Sequence, residues 1–297
     1  MIFKGQLSEY ESIAPLNIQR KGKSAFSNIY KASDKKTESI VILKTLHSRF
    51  AQDEGARERF INEARYELNH PFIVKYIDYG TEPAYFTISE YLSGKPLNEI
   101  KRRNFRNHGE YTRYVINVFI NLCNALTYIH EKGFVHCDIK PSNILATNGS
   151  KATDIKLIDF GQTYKIKGNN PPLARFSMIY SPPEILLRRY SICGPHSDIY
   201  SAGISMYELL TGNYPYRLCN SLMVINLQLN LPLPPNKKIN KNLFEVLLKA
   251  TNKIPFPRPP QKLSSQEIKE ILTRGIENRY SNASDFSKAL MECLNEL

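Results

Sequence analysis

Apolar residues fall in short blocks through the first part of the chain and at helical spacing through the rest. The segments Ser27 to Ala32, Ile40-Val-Ile-Leu-Lys44 and Tyr85-Phe-Thr-Ile-Ser89 are short and rich in β-branched and aromatic side chains, which predicts strands. A charged stretch from Asp53 to Leu68 lies between the last two and predicts a helix. From Tyr111 onward Val115, Val118, Phe119, Leu122, Leu126 and Ile129 recur at steps of three and four, so they share one helix face. Ile199 to Leu210 is apolar almost all round, the pattern of a helix buried on every side. A last helix over Ser284 to Leu294 would place Phe286, Ala289, Leu290 and Cys293 together. Asn148-Gly149 separates two short apolar runs and predicts a hairpin. No internal repeat is visible. A strand-rich smaller part followed by a helix-rich larger part makes an α+β protein, joined near Gly94 to Pro96.

Composition narrows the class. A chain of 297 residues can form one large domain or two lobes. Its 40 Lys and Arg against 28 Asp and Glu give a formal charge of +12, which favours acidic ligands or partners: phosphates, acidic substrate segments or nucleic acid. No run approaches the roughly 18 apolar residues that a spanning helix needs. The start, Met1-Ile-Phe-Lys-Gly, lacks an apolar signal core, so a soluble, cytoplasmic protein without a membrane span is expected. The cysteines at 123, 137, 193, 219 and 293 are odd in number and have no CxxC spacing, which excludes a disulfide framework and argues against zinc.

The chemistry concentrates in Val135-His-Cys-Asp138-Ile-Lys140-Pro-Ser-Asn143 and, after the predicted hairpin, Leu157-Ile-Asp159-Phe-Gly161. Asp138 can take a proton from an attacking hydroxyl. Asn143 and Asp159 can offer oxygen ligands to Mg²⁺, and Lys140 can neutralise charge on a transferred phosphoryl group. The order and spacing of these residues resemble the signature of eukaryotic-type (Hanks-type) serine/threonine protein kinases, and the resemblance runs from about Leu16 to the C-terminus.

That resemblance implies a two-lobed protein-kinase-like fold with a small β-rich N-lobe over 16–92 and a larger α-helical C-lobe over 93–297, preceded by an N-terminal extension over 1–15. It implies ATP and Mg²⁺ as cofactors, a protein bearing Ser or Thr as substrate, and Asp138, Lys140 and Asn143 as the catalytic set. Lys44, ending Val41-Ile-Leu-Lys44, would reach the α- and β-phosphates, with Ile42 above the adenine. Glu63 would be the partner of Lys44, with Glu58 and Glu67 close enough in sequence to compete. The phosphate-covering loop is degraded: Gly22 stands where the family has its first glycine, while Ser24 and Ser27 replace the others, and Ile29 would face adenine. Backbone groups of Glu90 and Leu92 would bind adenine, Leu145 would form its floor, and Ser89 would gate the pocket behind it. Asn143 and Asp159 would hold the metal.

Glu184, Asp198 and Arg279 match structural positions of the family that small-molecule kinases generally lack. Ser177 matches a position whose hydroxyl bonds the catalytic Asp and Lys. Lys140 two residues after Asp138 points to Ser/Thr acceptors. Three features depart from the pattern. The degraded glycine loop supports an alternative reading as a pseudokinase-type binding or scaffold module. Cys137 replaces the Arg that usually precedes the catalytic Asp, so activity is expected without phosphorylation of the segment 162–176. A Pro-rich stretch, Ile254-Pro-Phe-Pro-Arg-Pro-Pro260, begins an insertion over 254–276, with a capping-box helix start at Ser264. The basic cluster Lys101-Arg-Arg103-Asn-Phe-Arg106 reads as a solvated helical face, because no nucleic-acid motif accompanies it.

Overall fold

Alternation of buried and exposed side chains builds an antiparallel sheet from the first part of the chain. The computed structural model describes residues 1–16, 26–147, 154–166, 177–216 and 220–297. The chain divides into two units, one of residues 1–93 with 159–161, the other of residues 94–158 and 162–297.

In the first unit the strands are β1 (Ile2–Lys4), β2 (Glu9–Pro15), β3 (Ser27–Asp34) and β4 (Ile40–Leu46), then helix α1 (Glu54–Arg65), then β5 (Tyr76–Gly80) and β6 (Phe86–Glu90). Their order in the sheet is β1-β2-β3-β4-β6-β5. Residues 2–15, set apart in the sequence as an extension, are two strands of this sheet, and Tyr10 is fully buried in it. One face of the sheet carries an apolar core of Phe3, Tyr10, Ala32, Val41, Leu43, Phe86 and Ile88. Because side chains alternate, Ile42 and Lys44 point to the other face, where Ile29 and Thr87 lie opposite Lys44 and Ser89 lies opposite Ile42.

The turn between β1 and β2 is moulded on a single carboxylate. Asp78, buried on β5, accepts the N–H groups of Gln6 and Leu7 (both 2.9 Å), its neighbour Tyr79 (2.8 Å) and the Tyr10 hydroxyl (2.9 Å). A Cβ on Gly5 would sit 2.1 Å from an Asp78 oxygen, so only glycine fits there. Helix α1 starts on an Asp53 cap, whose side chain accepts from the Ala56 N–H. It stops at Arg65, short of the expected Leu68, and Glu67 beyond it takes a φ of 48°.

The second unit continues with β7 (Lys95–Pro96), α2 (His108–Glu131), β8 (Phe134–Val135), β9 (Ile144–Ala146), β10 (Ile155–Leu157), β11 (Tyr164–Lys165), α3 (Pro183–Leu186), α4 (Pro195–Thr211), α5 (Ser221–Asn230), α6 (Lys241–Ala250), α7 (Ser265–Glu277) and α8 (Ala283–Asn295). Helix α4 is buried all round, as its uniform hydrophobicity requires, and packs against α2, α6 and α8. Asparagines cap four of the helices: the side chains of Asn107, Asn220, Asn240 and Asn282 each accept a first-turn N–H. Ser264 and Glu267 form the reciprocal box that starts α7. Strands β9 and β10 pair as the hairpin pattern predicts, while its turn residues Asn148-Gly149 lie outside the described residues. The stretch Lys101–Arg106 is not a helix but a 3₁₀ turn over Arg102–Asn104. No helix among the described residues is long and apolar enough to cross a membrane.

Candidate active site

In the first unit, Lys44 is held on β4 between two strands, so its ammonium has a rigid origin. Its Nζ donates to both carboxylate oxygens of Glu63 on α1 (2.8 and 2.9 Å) and to Oδ1 of Asp159 (2.9 Å). The structure therefore selects Glu63 from the three candidate glutamates. Phe60 and Ile61 explain the choice: both are buried, and their packing turns the Glu63 face of α1 inward. Burial alone would lower the Lys44 pKa, but the Asp159 and Glu63 carboxylates outweigh it and raise it, keeping the ammonium charged. Burial raises the Glu63 pKa despite that ammonium, and the second carboxylate, Asp159, adds to the rise.

One residue of this cluster has no signature in the sequence. The Tyr76 hydroxyl donates to Glu63 Oε2 (2.8 Å), and its ring meets Phe160 edge-on with centroids 6.4 Å apart. Gly161 lies against the same carboxylate: a Cβ there would stand 2.7 Å from Glu63 Oε1. Asp159 itself has a φ of 66°, a left-handed conformation that L-residues adopt at some cost.

Of the expected nucleotide contacts, Ile29 and Ile42 share the Lys44 face of the sheet, and Ser27 is buried at the start of β3. Gly22 and Ser24 lie outside the described residues. Glu90 ends β6, its N–H donating to the Lys75 carbonyl (2.9 Å) and its side chain accepting from the Lys75 N–H (2.9 Å). Leu92 is half-buried in the same unit. Leu145 lies in the second unit, where β9 pairs it with Pro96 and Lys156.

In the second unit a loop after β8 presents Asp138. Its shape depends on Asp198, fully buried near the start of α4, which accepts the N–H groups of His136 and Cys137 (both 2.9 Å) and shares a 2.8 Å hydrogen bond with His130 Nε2. Two consecutive N–H groups can reach one carboxylate because Cys137 has a φ of 63°. Burial opposes ionisation of Asp198, yet these hydrogen bonds and the neighbouring histidines hold its pKa below the ordinary value.

Asp138 is then enclosed by three side chains. Lys140 Nζ donates to Oδ2 (2.6 Å), Asn143 Nδ2 donates to Oδ2 and to the Asp138 carbonyl (both 2.9 Å), and Ser177 Oγ donates to Oδ1 (2.8 Å). Lys140 also donates to Ser177 Oγ (3.0 Å), the contact expected from the sequence. Asn143 stands at the end of a 3₁₀ turn begun by Pro141, with its Oδ1 buried and lacking a hydrogen-bond partner.

Behind this loop Glu184 and Arg279 form a buried ion pair (2.8 and 3.2 Å), to which Ser197 Oγ adds a 2.9 Å hydrogen bond. Burial opposes ionisation of Glu184, and Arg279 reverses that and lowers its pKa. Cys137 is buried in an apolar cluster with Val135, Tyr164, Ile185 and Cys193. Burial pushes its thiol pKa well up, so it carries no charge. Thr163 and Tyr164 are buried too, and Lys165 lies over the Phe134 ring, while residues 167–176 lie outside the described ones.

Each unit by itself offers oxygen suited to a divalent metal ion. In the second, Asn143 Oδ1 is an acceptor without a donor; in the first, two carboxylates share one ammonium, leaving a net negative charge for a cation to offset. No group of three or more His, Cys, Asp or Glu among the described residues could hold a metal alone.

A sheet lysine paired with a helix glutamate in the first unit, and a loop aspartate tied to a lysine and an asparagine in the second, are the arrangements found in the protein-kinase class of fold. Within that class the chain belongs to the protein kinase domain family, which it matches over residues 17–291. It is 32% identical over 249 residues to the serine/threonine-protein kinase PrkC of Bacillus subtilis, covering 80% of this chain and 37% of the relative. It is 30% identical over 254 residues to PknB of Mycobacterium tuberculosis (80% and 39%), and 28% identical over 255 residues to pkn3 of Myxococcus xanthus (80% and 46%). The chain thus spans less than half the length of these relatives. The family uses ATP and a divalent metal ion in general.

Proposed function

We propose that this chain transfers the γ-phosphoryl group of Mg-ATP to Ser or Thr hydroxyls of protein substrates. The observation that carries this reading is the ring of donors around Asp138. A serine hydroxyl, Ser177 Oγ, already donates to one Asp138 oxygen beside the Lys140 ammonium, which is the pair of contacts an acceptor hydroxyl needs. Asp138 accepts the proton of the incoming hydroxyl. Lys140 offsets the charge that develops on the group being transferred. Asn143 Nδ2 keeps the carboxylate oriented, and its partnerless Oδ1 joins Asp159 as a metal ligand. Mg²⁺, when bound, neutralises phosphate charge and aligns the phosphates.

Lys44 has three N–H bonds, and all three contact carboxylate oxygens. A phosphate oxygen therefore takes the place of one of these, and Asp159, the more exposed carboxylate at 33% against 2% for Glu63, is the one released. Ile29 and Ile42 cover the adenine, Leu145 underlies it, and Glu90 and Leu92 bond its edge. Ser27, with Gly22 and Ser24, belongs to the loop over the phosphates. With a neutral Cys137 and buried Thr163 and Tyr164, the enzyme works without phosphorylation of this segment.

The test is transfer of label from ATP to a generic protein substrate in Mg²⁺. Asp138→Asn should lower the rate by about 10²–10⁴-fold with nucleotide affinity unchanged. Asp159→Ala should weaken nucleotide binding itself. A wild type that binds nucleotide and transfers nothing would restore the binding-module reading.

A further inference from the structure

Two basic segments far apart in sequence converge on the second unit. The first is Lys101, Arg102, Arg103 and Arg106, all exposed around the 3₁₀ turn before α2. The second is the exposed pair Lys237 and Lys238 before α6. A 2.6 Å hydrogen bond between His108 Nε2 and the Lys238 carbonyl joins them. None of these six cations forms an ion pair among the described residues. The polar contacts of Lys101, Arg102 and Lys238 go instead to the backbone carbonyls of Asn98, Phe105 and Thr211. Some exposed cations elsewhere are paired, Lys35 with Glu11, Arg258 with Glu267 and Lys288 with Asp285, while others such as Lys36 and Lys269 stand singly rather than in a cluster. Glu110 at the start of α2 accepts the Arg106 backbone N–H rather than a cationic side chain, and Glu208, which the Lys101 charge reaches, is instead hydrogen-bonded by the Tyr180 hydroxyl.

Concentrating six like charges from two segments is unfavourable unless an anion is drawn to them. The surroundings narrow its type. Phe105, the aromatic ring in the first segment, is buried against Tyr111 and Tyr114 with centroids 5.0 and 4.9 Å apart, so it offers no stacking face to a base. No large exposed apolar side chain lies in either segment, which leaves a membrane without an anchor.

We propose that this surface docks an acidic segment, rich in Asp and Glu, of the protein substrate; the proposal rests on the reading as a protein kinase. Helix α4 sets its distance from the chemistry. Asp198 near one end accepts the Cys137 N–H beside Asp138, and Thr211 at the other end accepts Lys238 Nζ (2.6 Å). The thirteen helical steps from one to the other span about 20 Å. The acidic segment must therefore lie at least about six extended residues from the acceptor hydroxyl.

The experiment compares two peptides with one acceptor serine, a spacer of about eight Gly and Ser residues, and a tail of either Glu or Gln. Wild type should show a KM about tenfold lower for the Glu-tailed peptide at equal kcat, an advantage that disappears in high salt. Arg103→Glu/Arg106→Glu/Lys237→Glu, all at exposed positions, should abolish the difference while leaving the Gln-tailed peptide and the melting temperature unchanged. A fluorescein-labelled Glu tail alone should bind wild type and not the variant, as read by anisotropy. Equal KM values for the two peptides, equal binding of the tail by wild type and variant, or tighter binding of a short DNA duplex than of the tail would each overturn the proposal. Absence of transfer to both peptides would instead count against the kinase reading, with the anisotropy measurement still deciding the docking site.

Discussion

Gly161→Ala tests whether the Lys44–Glu63 pair depends on close approach. The new Cβ would stand 2.7 Å from Glu63 Oε1, against an ordinary contact of 3.4 Å or more, so something must move by about 0.7 Å. Glu63 cannot swing into water, because it is 3% exposed and held by Lys44 and by the Tyr76 hydroxyl. Retreat of Oε1 would stretch its 2.8 Å bond to Lys44 to about 3.5 Å, beyond useful hydrogen-bond range. A buried charge-assisted hydrogen bond contributes about 1.5–3 kcal/mol. If the whole loss falls on the transition state, kcat/KM drops roughly 10- to 100-fold, and the melting temperature falls with it. The assay is initial-rate kinetics with added peptide, together with thermal unfolding. Glu63→Asp, which withdraws the carboxylate by one methylene, should make room, so the double variant should be little worse than Glu63→Asp alone. Wild-type kinetics and melting temperature in Gly161→Ala, or fully additive losses in the double variant, would refute the reasoning.

Phosphatase treatment, Thr163→Ala and Tyr164→Phe should each leave initial rates within about twofold of wild type, since a neutral, buried Cys137 offers a phosphate no charge-assisted partner. Ser177→Ala should lower the rate about tenfold by removing the hydroxyl that bridges Asp138 and Lys140, equivalent to about one net hydrogen bond. Acid should destabilise the fold through Asp198 and Glu184. Both carboxyls titrate lower when folded than when unfolded, so the stability they add is complete above about pH 5 and is lost as pH falls through the carboxylate range. A urea-midpoint series should slope downward below about pH 5, and Asp198→Asn, if it folds, should flatten that slope.

The catalytic loop and the Asp159-Phe-Gly161 segment were legible in the chain because their working parts are neighbours in it. Asp138, Lys140 and Asn143 fall within six positions, and the turn that gathers them is local. The sheet strands that carry Ile29, Ile42 and Lys44 were legible for the same reason: alternation along one strand sets which face each side chain takes. The choice of Glu63 over Glu58 came from the family resemblance and not from helix spacing. Side chains five apart on a helix point in different directions, and which one turns inward depends on where Phe60 and Ile61 find their core. Residues 2–15 joined the sheet because Asp78, some seventy positions away, offers the buried carboxylate on which their turn closes.

Tyr76, Gly161 and Asp198 are likewise set by contacts across long stretches of chain. Tyr76 is 13 residues from Glu63 on a different element, and the backbone bonds that Asp198 accepts come from residues 61 and 62 positions earlier. The basic surface shows the same division. Each half was visible as charge in the sequence, but 130 residues separate His108 from Lys238. Local steric and hydrophobic preferences act over a few residues and so can be read from order alone. Which distant groups share a carboxylate, or crowd their charges onto one surface, follows from the packing of whole helices and strands, and only the folded chain decides it.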